Sequence, residues 1–309
     1  MKPLWVISSL IIVLVFAAPA QETQPAPTSP NISVEVKLVR ISAIVRDQHK
    51  TIVPTLNKDD FVLYVDGRLQ AVNNFMRQSD LPLTLGLLVQ TSLGPRRQYA
   101  LHNASDASYA FLDHMLREDK DKAFVVSFGR KAELLQSLTS SRTKLRAALQ
   151  NTETSDFSGA GRGGTLLYDA LGLASNELMK TQPGRTALVV LSDGIDGRSQ
   201  ETLEDAVEAA QRVDTPVYSI LLTENWPGPN GKKVLERISN ETGGHAFKIF
   251  HGLTVTQIYA QAEAELRNEY VLAYTPTPAE TSAGYHRIHL ATKQKGLTVQ
   301  ARAGYFSGR

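Results

Sequence analysis

Two hydroxyls, a carboxylate and a carboxamide stand on three separated stretches of this 309-residue chain, in a combination that suits a hard cation. The stretches are Leu87-Leu88-Val89-Gln90-Thr91-Ser92-Leu93-Gly94, Gly163-Gly164-Thr165 and Val189-Val190-Leu191-Ser192-Asp193-Gly194. Magnesium wants near-octahedral oxygen ligation and usually keeps several waters. Ser92, Thr165 and Asp193 would supply half a shell, and Gln90 offers a neutral carbonyl oxygen besides. A single carboxylate faces a dication in that set, so magnesium or manganese binding is expected to be weak. The plain alternative assigns no ligand: Ser92, Thr165 and Asp193 would cap helices and satisfy loop backbone.

The elements that must position these residues are legible around them. The first and third stretches follow apolar runs that read as buried strands, and the second opens a helix. Ligands arriving from three loops at strand ends are how an open α/β sheet builds a site. From Leu83 onward strands alternate with helices. Strands are expected at Leu83–Val89, Ala123–Phe128, Glu133–Leu138, Ala187–Leu191, Pro216–Leu222 and Ala246–Phe250. Helices are expected at Tyr99–Leu116, Thr165–Met179, Glu201–Arg212, Gly231–Glu241 and Thr254–Arg267. This alternation specifies an α/β fold, a mostly parallel sheet with helices on both faces.

On either side the texture is β. Val34 to Val45 alternates with period two, Phe61–Val65 is a second apolar run, and Asp66-Gly67 is a hairpin turn signal. Tyr270–Tyr274, Tyr285–Leu290 and Leu297–Ala301 are candidate strands near the other end. Because a lone hairpin is marginal in water, the two stretches are expected to pair into one discontinuous, sandwich-like β domain. The expected division is a signal peptide at 1–20, a disordered linker at 21–31, a β segment at 32–79, the α/β domain at 80–267 and a second β segment at 268–309.

Met1-Lys2, the apolar run Leu4–Phe16 and the small residues Ala18-Pro19-Ala20 read as an export signal, and the run is short for a membrane span. The mature chain is expected to be soluble and periplasmic or extracellular, with no membrane span after signal removal; an uncleaved anchor is the alternative. The sequence has no cysteine, which excludes disulfides and thiolate metal sites. A net charge of +2 with no basic stripe argues against a nucleic-acid partner.

Several stretches carry a resemblance to a known family. They are Ala43-Ile44-Val45-Arg46-Asp47, Leu56-Asn57-Lys58-Asp59-Asp60-Phe61, Asp80-Leu81-Pro82-Leu83, Glu241-Thr242-Gly243-Gly244, Leu266-Arg267-Asn268-Glu269-Tyr270, Tyr274-Thr275-Pro276 and Gly304-Tyr305-Phe306. With the three loops, they make the chain resemble the von Willebrand factor A-related proteins abundant in Acidobacteria. That resemblance implies a doubly wound A-type sheet and a metal-ion-dependent adhesion site of the form Asp-x-Ser-x-Ser, then Thr, then Asp. Gln90 stands at the first Asp of that pattern and Gly94 at its last Ser, so the site is degenerate. The implied function is protein binding, for adhesion or assembly, at the rim formed by Gln90, Ser92, Gly164, Thr165 and Asp193. The competing class is a scaffold or accessory subunit whose A domain binds no metal.

Other signals are weaker. Gly159 to Gly164 matches a dinucleotide fingerprint in letters but lacks the preceding strand, and reads as a loop delivering Thr165. There is no Gly-x-Ser-x-Gly elbow. His286 and His289, three apart on a strand, point to opposite faces. No acid/base pair or nucleophile constellation emerges, so an enzyme is not expected.

Overall fold

A computed structural model describes residues 38–77, 81–92, 98–154, 164–222, 229–248, 254–277 and 280–308. The expected export signal and linker, Gly94, Gly163 and most of the glycine loop lie outside the described residues.

Six strands form the central sheet: β5 (Leu83–Gln90), β6 (Lys122–Phe128), β7 (Ala132–Thr139), β8 (Arg185–Ser192), β9 (Val217–Leu221) and β10 (Ala246–Lys248). Their order is β10-β9-β8-β5-β6-β7. All pair in parallel except β7, which returns antiparallel beside β6. The helices are α1 (Gln98–Met115), α2 (Arg142–Thr154), α3 (Leu167–Leu173, continued by one wider turn to Met179), α4 (Leu203–Arg212), α5 (Pro229–Thr242) and α6 (Val255–Arg267).

Every residue of β5 is buried, which is why its sequence is apolar but for Thr84 and the terminal Gln90. Leu85, Leu87 and Val89 join Phe111, Met115, Ile258 and Tyr259 in one core. Leu88 joins Phe124, Leu171, Val207 and Leu235 in the core on the opposite face. Gly86 keeps these layers close, since a Cβ there would sit 2.3 Å from Phe124 Cζ. The chain winds outward from β5 in both directions, through β6 on one side and β8 on the other. The carboxyl ends of β5 and β8 therefore border the switch point, where open α/β sheets form a crevice.

Strands from the two ends of the described chain interleave in two smaller antiparallel sheets. In the first, β4 (Asn74–Arg77) and β1 (Val39–Arg46) flank β11 (Tyr270–Tyr274), and β13 (Thr298–Ala301) lies beyond β1. The second has the order β14-β12-β2-β3, with β2 at Phe61–Val65, β3 at Arg68–Gln70, β12 at Gly284–Thr292 and β14 at Gly304–Ser307. The register sets Ile41 opposite Leu272 and Leu63 opposite Leu290. Both sheets contribute to one apolar core that includes Ile41, Val45, Leu63, Val65, Tyr270, Leu272 and Leu290. Asp66 and Gly67 turn β2 into β3 with φ of 49° and 77°, the positive pair a tight primed hairpin demands.

Candidate functional site

The four polar residues singled out from the sequence meet at the carboxyl edge of β5 and β8. Parallel pairing sets Val89 against Leu191, so Gln90 and Ser192 end the two strands side by side. Gln90 is 1% exposed. Its Oε1 accepts the Ser192 hydroxyl at 2.7 Å and the Asp193 N–H at 2.9 Å. Its Nε2 faces the other way, donating to Ser92 Oγ at 3.2 Å and, more weakly, toward Thr165 Oγ1 at 3.5 Å. The two hydroxyls are 2.8 Å apart. Ser92 is half-buried, while Thr165 and Asp193 are buried.

The loops are held by their own backbone. Leu166 N–H donates to Gly129 O, and Gly197 and Arg198 N–H donate to Thr165 O. Gly194 takes φ of 74°, and a Cβ there would lie 2.1 Å from Gly231 O. Asp193 joins the network through its N–H, while its Oδ1 accepts Ile195 N–H at 3.0 Å. Gly164 is half-buried, and a Cβ on it would strike Arg198 Cγ at 2.3 Å, so the Arg198 stem lies on this turn.

Two expectations change in detail. Thr165 does not cap the following helix. Asp196 Oδ1 accepts Leu167 N–H at 2.8 Å and Tyr168 N–H at 3.3 Å, and Ser199 Oγ accepts the N–H groups of Tyr168 and Asp169. Acceptors from the β8–α4 loop thus saturate the start of α3, where the helix dipole also favours a carboxylate. Asp169 Oδ1 in turn accepts Gln200 and Glu201 N–H. Burial, then the neighbouring Asp196 charge, raises the Tyr168 hydroxyl above its usual range. Burial and the charges of Asp169 and Asp205 raise Glu201.

The second change concerns Gln90. Its carbonyl oxygen is not offered outward; Ser192 and Asp193 consume it. An oxygen about 2.1 Å from magnesium has an octahedral neighbour about 3.0 Å away, so the spacing of the Ser92 and Thr165 hydroxyls suits a shared ion. What faces them is an N–H donor, and that arrangement does not fit a dication. Among the described residues, no group of three or more His, Cys, Asp or Glu is placed to hold a metal.

Residues 74–195 match the model of the von Willebrand factor type A domain. This chain carries a von Willebrand factor type A domain. Solved A-domain structures align with it at low identity. Proximal thread matrix protein 1 from the mussel byssus, solved with a zinc-occupied metal-ion-dependent adhesion site, superposes with a TM-score of 0.50 at 14% identity, covering 66% of this chain and 50% of its own. A second structure of that mussel protein gives 0.51 at 13% identity, covering 66% of this chain and 51% of its own. A von Willebrand factor type A protein from Catenulispora acidiphila covers 81% of this chain and 73% of its own, with a TM-score of 0.49 at 14% identity. The two likenesses to the mussel protein agree with an A-type fold. No curated protein matches the chain in sequence.

Sequence reasoning does not single out Ser192, Asp196 or Ser199. The signal for Ser192 was its place beside Gln90 at the end of a buried strand. Asp196 and Ser199 act across loops about thirty residues from the helix they cap, beyond the reach of a local capping pattern.

Proposed function

We propose that this chain is an exported protein-binding module, acting in adhesion or assembly through the loops around Gln90, Gly164 and Asp193. The observation that carries the reading is the convergence of three loops into one closed polar network at the switch point of the A domain. Around that network the edge offers contacts. Ile195 is an apolar side chain 38% exposed, and Arg130, Lys131 and Arg198 are exposed cations on adjoining turns. An exposed apolar residue ringed by charge on rigid backbone is a common form of interaction anchor. Export is supported by the charged start, apolar run and small residues before Gln21. Among the described residues no helix is long and apolar enough to cross a membrane.

The scaffold reading is favoured by a different observation, that the polar groups of the rim largely satisfy one another. Cross-linking capture from an envelope fraction separates the two. Wild type and the variants Ile195→Asp and Arg198→Glu are compared after their melting temperatures are shown to agree. A partner retained by wild type and lost by both variants supports binding at the rim. Equal capture by all three places the contact elsewhere and leaves the scaffold.

A further inference from the structure

We infer that the Gln90 carboxamide takes the place of a bound cation, so that this site is complete without one. The amide orientation follows from its partners. The Asp193 main-chain N–H can only donate, so the group 2.9 Å from it must be the amide oxygen. The nitrogen is then fixed on the side of Ser92 Oγ and Thr165 Oγ1, at 3.2 and 3.5 Å. The two hydroxyls hydrogen-bond each other, and the electropositive group set against both is this NH2. Its hydrogens carry partial positive charge and demand no counter-anion. That matches the rest of the site, where the remaining carboxylate, Asp193, turns Oδ1 to the Ile195 N–H.

Admitting an ion at the hydroxyl pair means removing the amide hydrogens from that position. A half-turn of the amide would set NH2 against the Asp193 N–H and forfeit the bonds made by Oε1. Gln90 is almost wholly buried, so water cannot replace those bonds cheaply. The network is moreover a chain, from Ser192 O–H through the amide to Ser92 and Thr165, and each link polarises the next. The inference concerns the same rim as the proposed function, but it is tested with a metal alone, so its outcome does not depend on any partner.

Manganese titration followed by electron paramagnetic resonance, with thermal melting in parallel, is the experiment. Wild type should leave the free-ion signal undiminished and its melting temperature unchanged. Gln90→Glu keeps the side-chain length and the oxygen facing Ser192 and Asp193, while replacing the NH2 with a carboxylate oxygen. It should bind about one manganese per chain and melt higher with the ion, and Thr165→Val in that background should abolish both effects. Gln90→Asp, read the same way, serves if the glutamate variant does not fold. Saturable binding by wild type that Thr165→Val removes would overturn the inference. So would folded Gln90→Glu and Gln90→Asp variants that gain no ion, because the amide would then not be what occupies the cation's position.

Discussion

Replacing Glu269 with glutamine should remove a pH dependence from the stability of the whole molecule. Glu269 lies between α6 and β11, its side chain 7% exposed, with Oε2 3.8 Å from Arg185 Nε at the start of β8. Burial pushes its carboxyl up from 4.5 to about 7, while the charge of Arg185 and a hydrogen bond from Ser42 pull the other way. The folded state therefore holds a proton that the unfolded state has released, and stability must fall as pH rises. The contribution is fully present below about pH 4.5 and is lost as pH climbs through about 7. At ~1.36 kcal/mol per pH unit, that interval corresponds to about 3 kcal/mol. Glu269→Gln is the neutral form made permanent, and it keeps Arg185 beside an uncharged group at every pH. Urea unfolding of both proteins from about pH 4 to about pH 8 isolates the effect, because every other titrating group cancels in the difference. The variant should resemble wild type at the acid end and exceed it by about 3 kcal/mol at the alkaline end. A difference that stays flat across the range would mean that Glu269 is ionised in the folded protein and that Arg185 outweighs its burial.

Gly194→Ala should cost roughly 2–4 kcal/mol in urea unfolding, combining a left-handed backbone with overpacking; an unchanged midpoint would show that the turn against Gly231 can shift freely. Asp196→Ala should cost about 1–2 kcal/mol by stripping an acceptor from the first N–H groups of α3, and faster hydrogen exchange at Leu167 and Tyr168 should locate the loss. Tyr274→Phe deletes the hydroxyl 2.7 Å from Tyr305 Oη in the core of the small sheets and should lower stability by about 1 kcal/mol in the same assay. Intact-mass measurement of the exported protein should find Gln21 at its start; a mature species in the membrane fraction still carrying Met1 would contradict cleavage after Ala20.

The fold was legible where burial leaves a one-dimensional trace. Leu83–Val89 is apolar but for Thr84 because both faces of β5 are covered, and Ala187–Leu191 in β8 is apolar for the same reason. The Asp66-Gly67 turn announced its hairpin because few residues other than glycine, asparagine and aspartate accept positive φ. Apart from β14, which buries Tyr305, the elements that escaped notice bury little. Helix α2 buries only Leu145, Ala148 and Leu149 of its apolar residues, and β3 and β4 are three- and four-residue edges without a buried residue. The candidate site was legible in its members, since Gln90 ends β5, Ser92 and Asp193 closely follow strand ends and Thr165 lies just before α3. Its chemistry was not. Spacing says that an amide is present but not which end of it faces the hydroxyls, and that choice belongs to Ser192 and the Asp193 N–H.

The interleaving of the small sheets ties the pairing of β1 and β2 to strands more than two hundred residues further along the chain. Strand β1 pairs with β11 and β2 with β12, so neither neighbour exists when β1 and β2 leave the ribosome. At ~5–20 residues per second, the interval between β1 and β11 is on the order of ten to forty seconds. During it Ile41, Val45, Leu63 and Val65 belong to open strand edges, the kind of surface on which chains aggregate. A chain truncated before β11 keeps every strand of the central sheet and exposes those edges permanently. The small sheets thus close only when both segments flanking the central sheet are present.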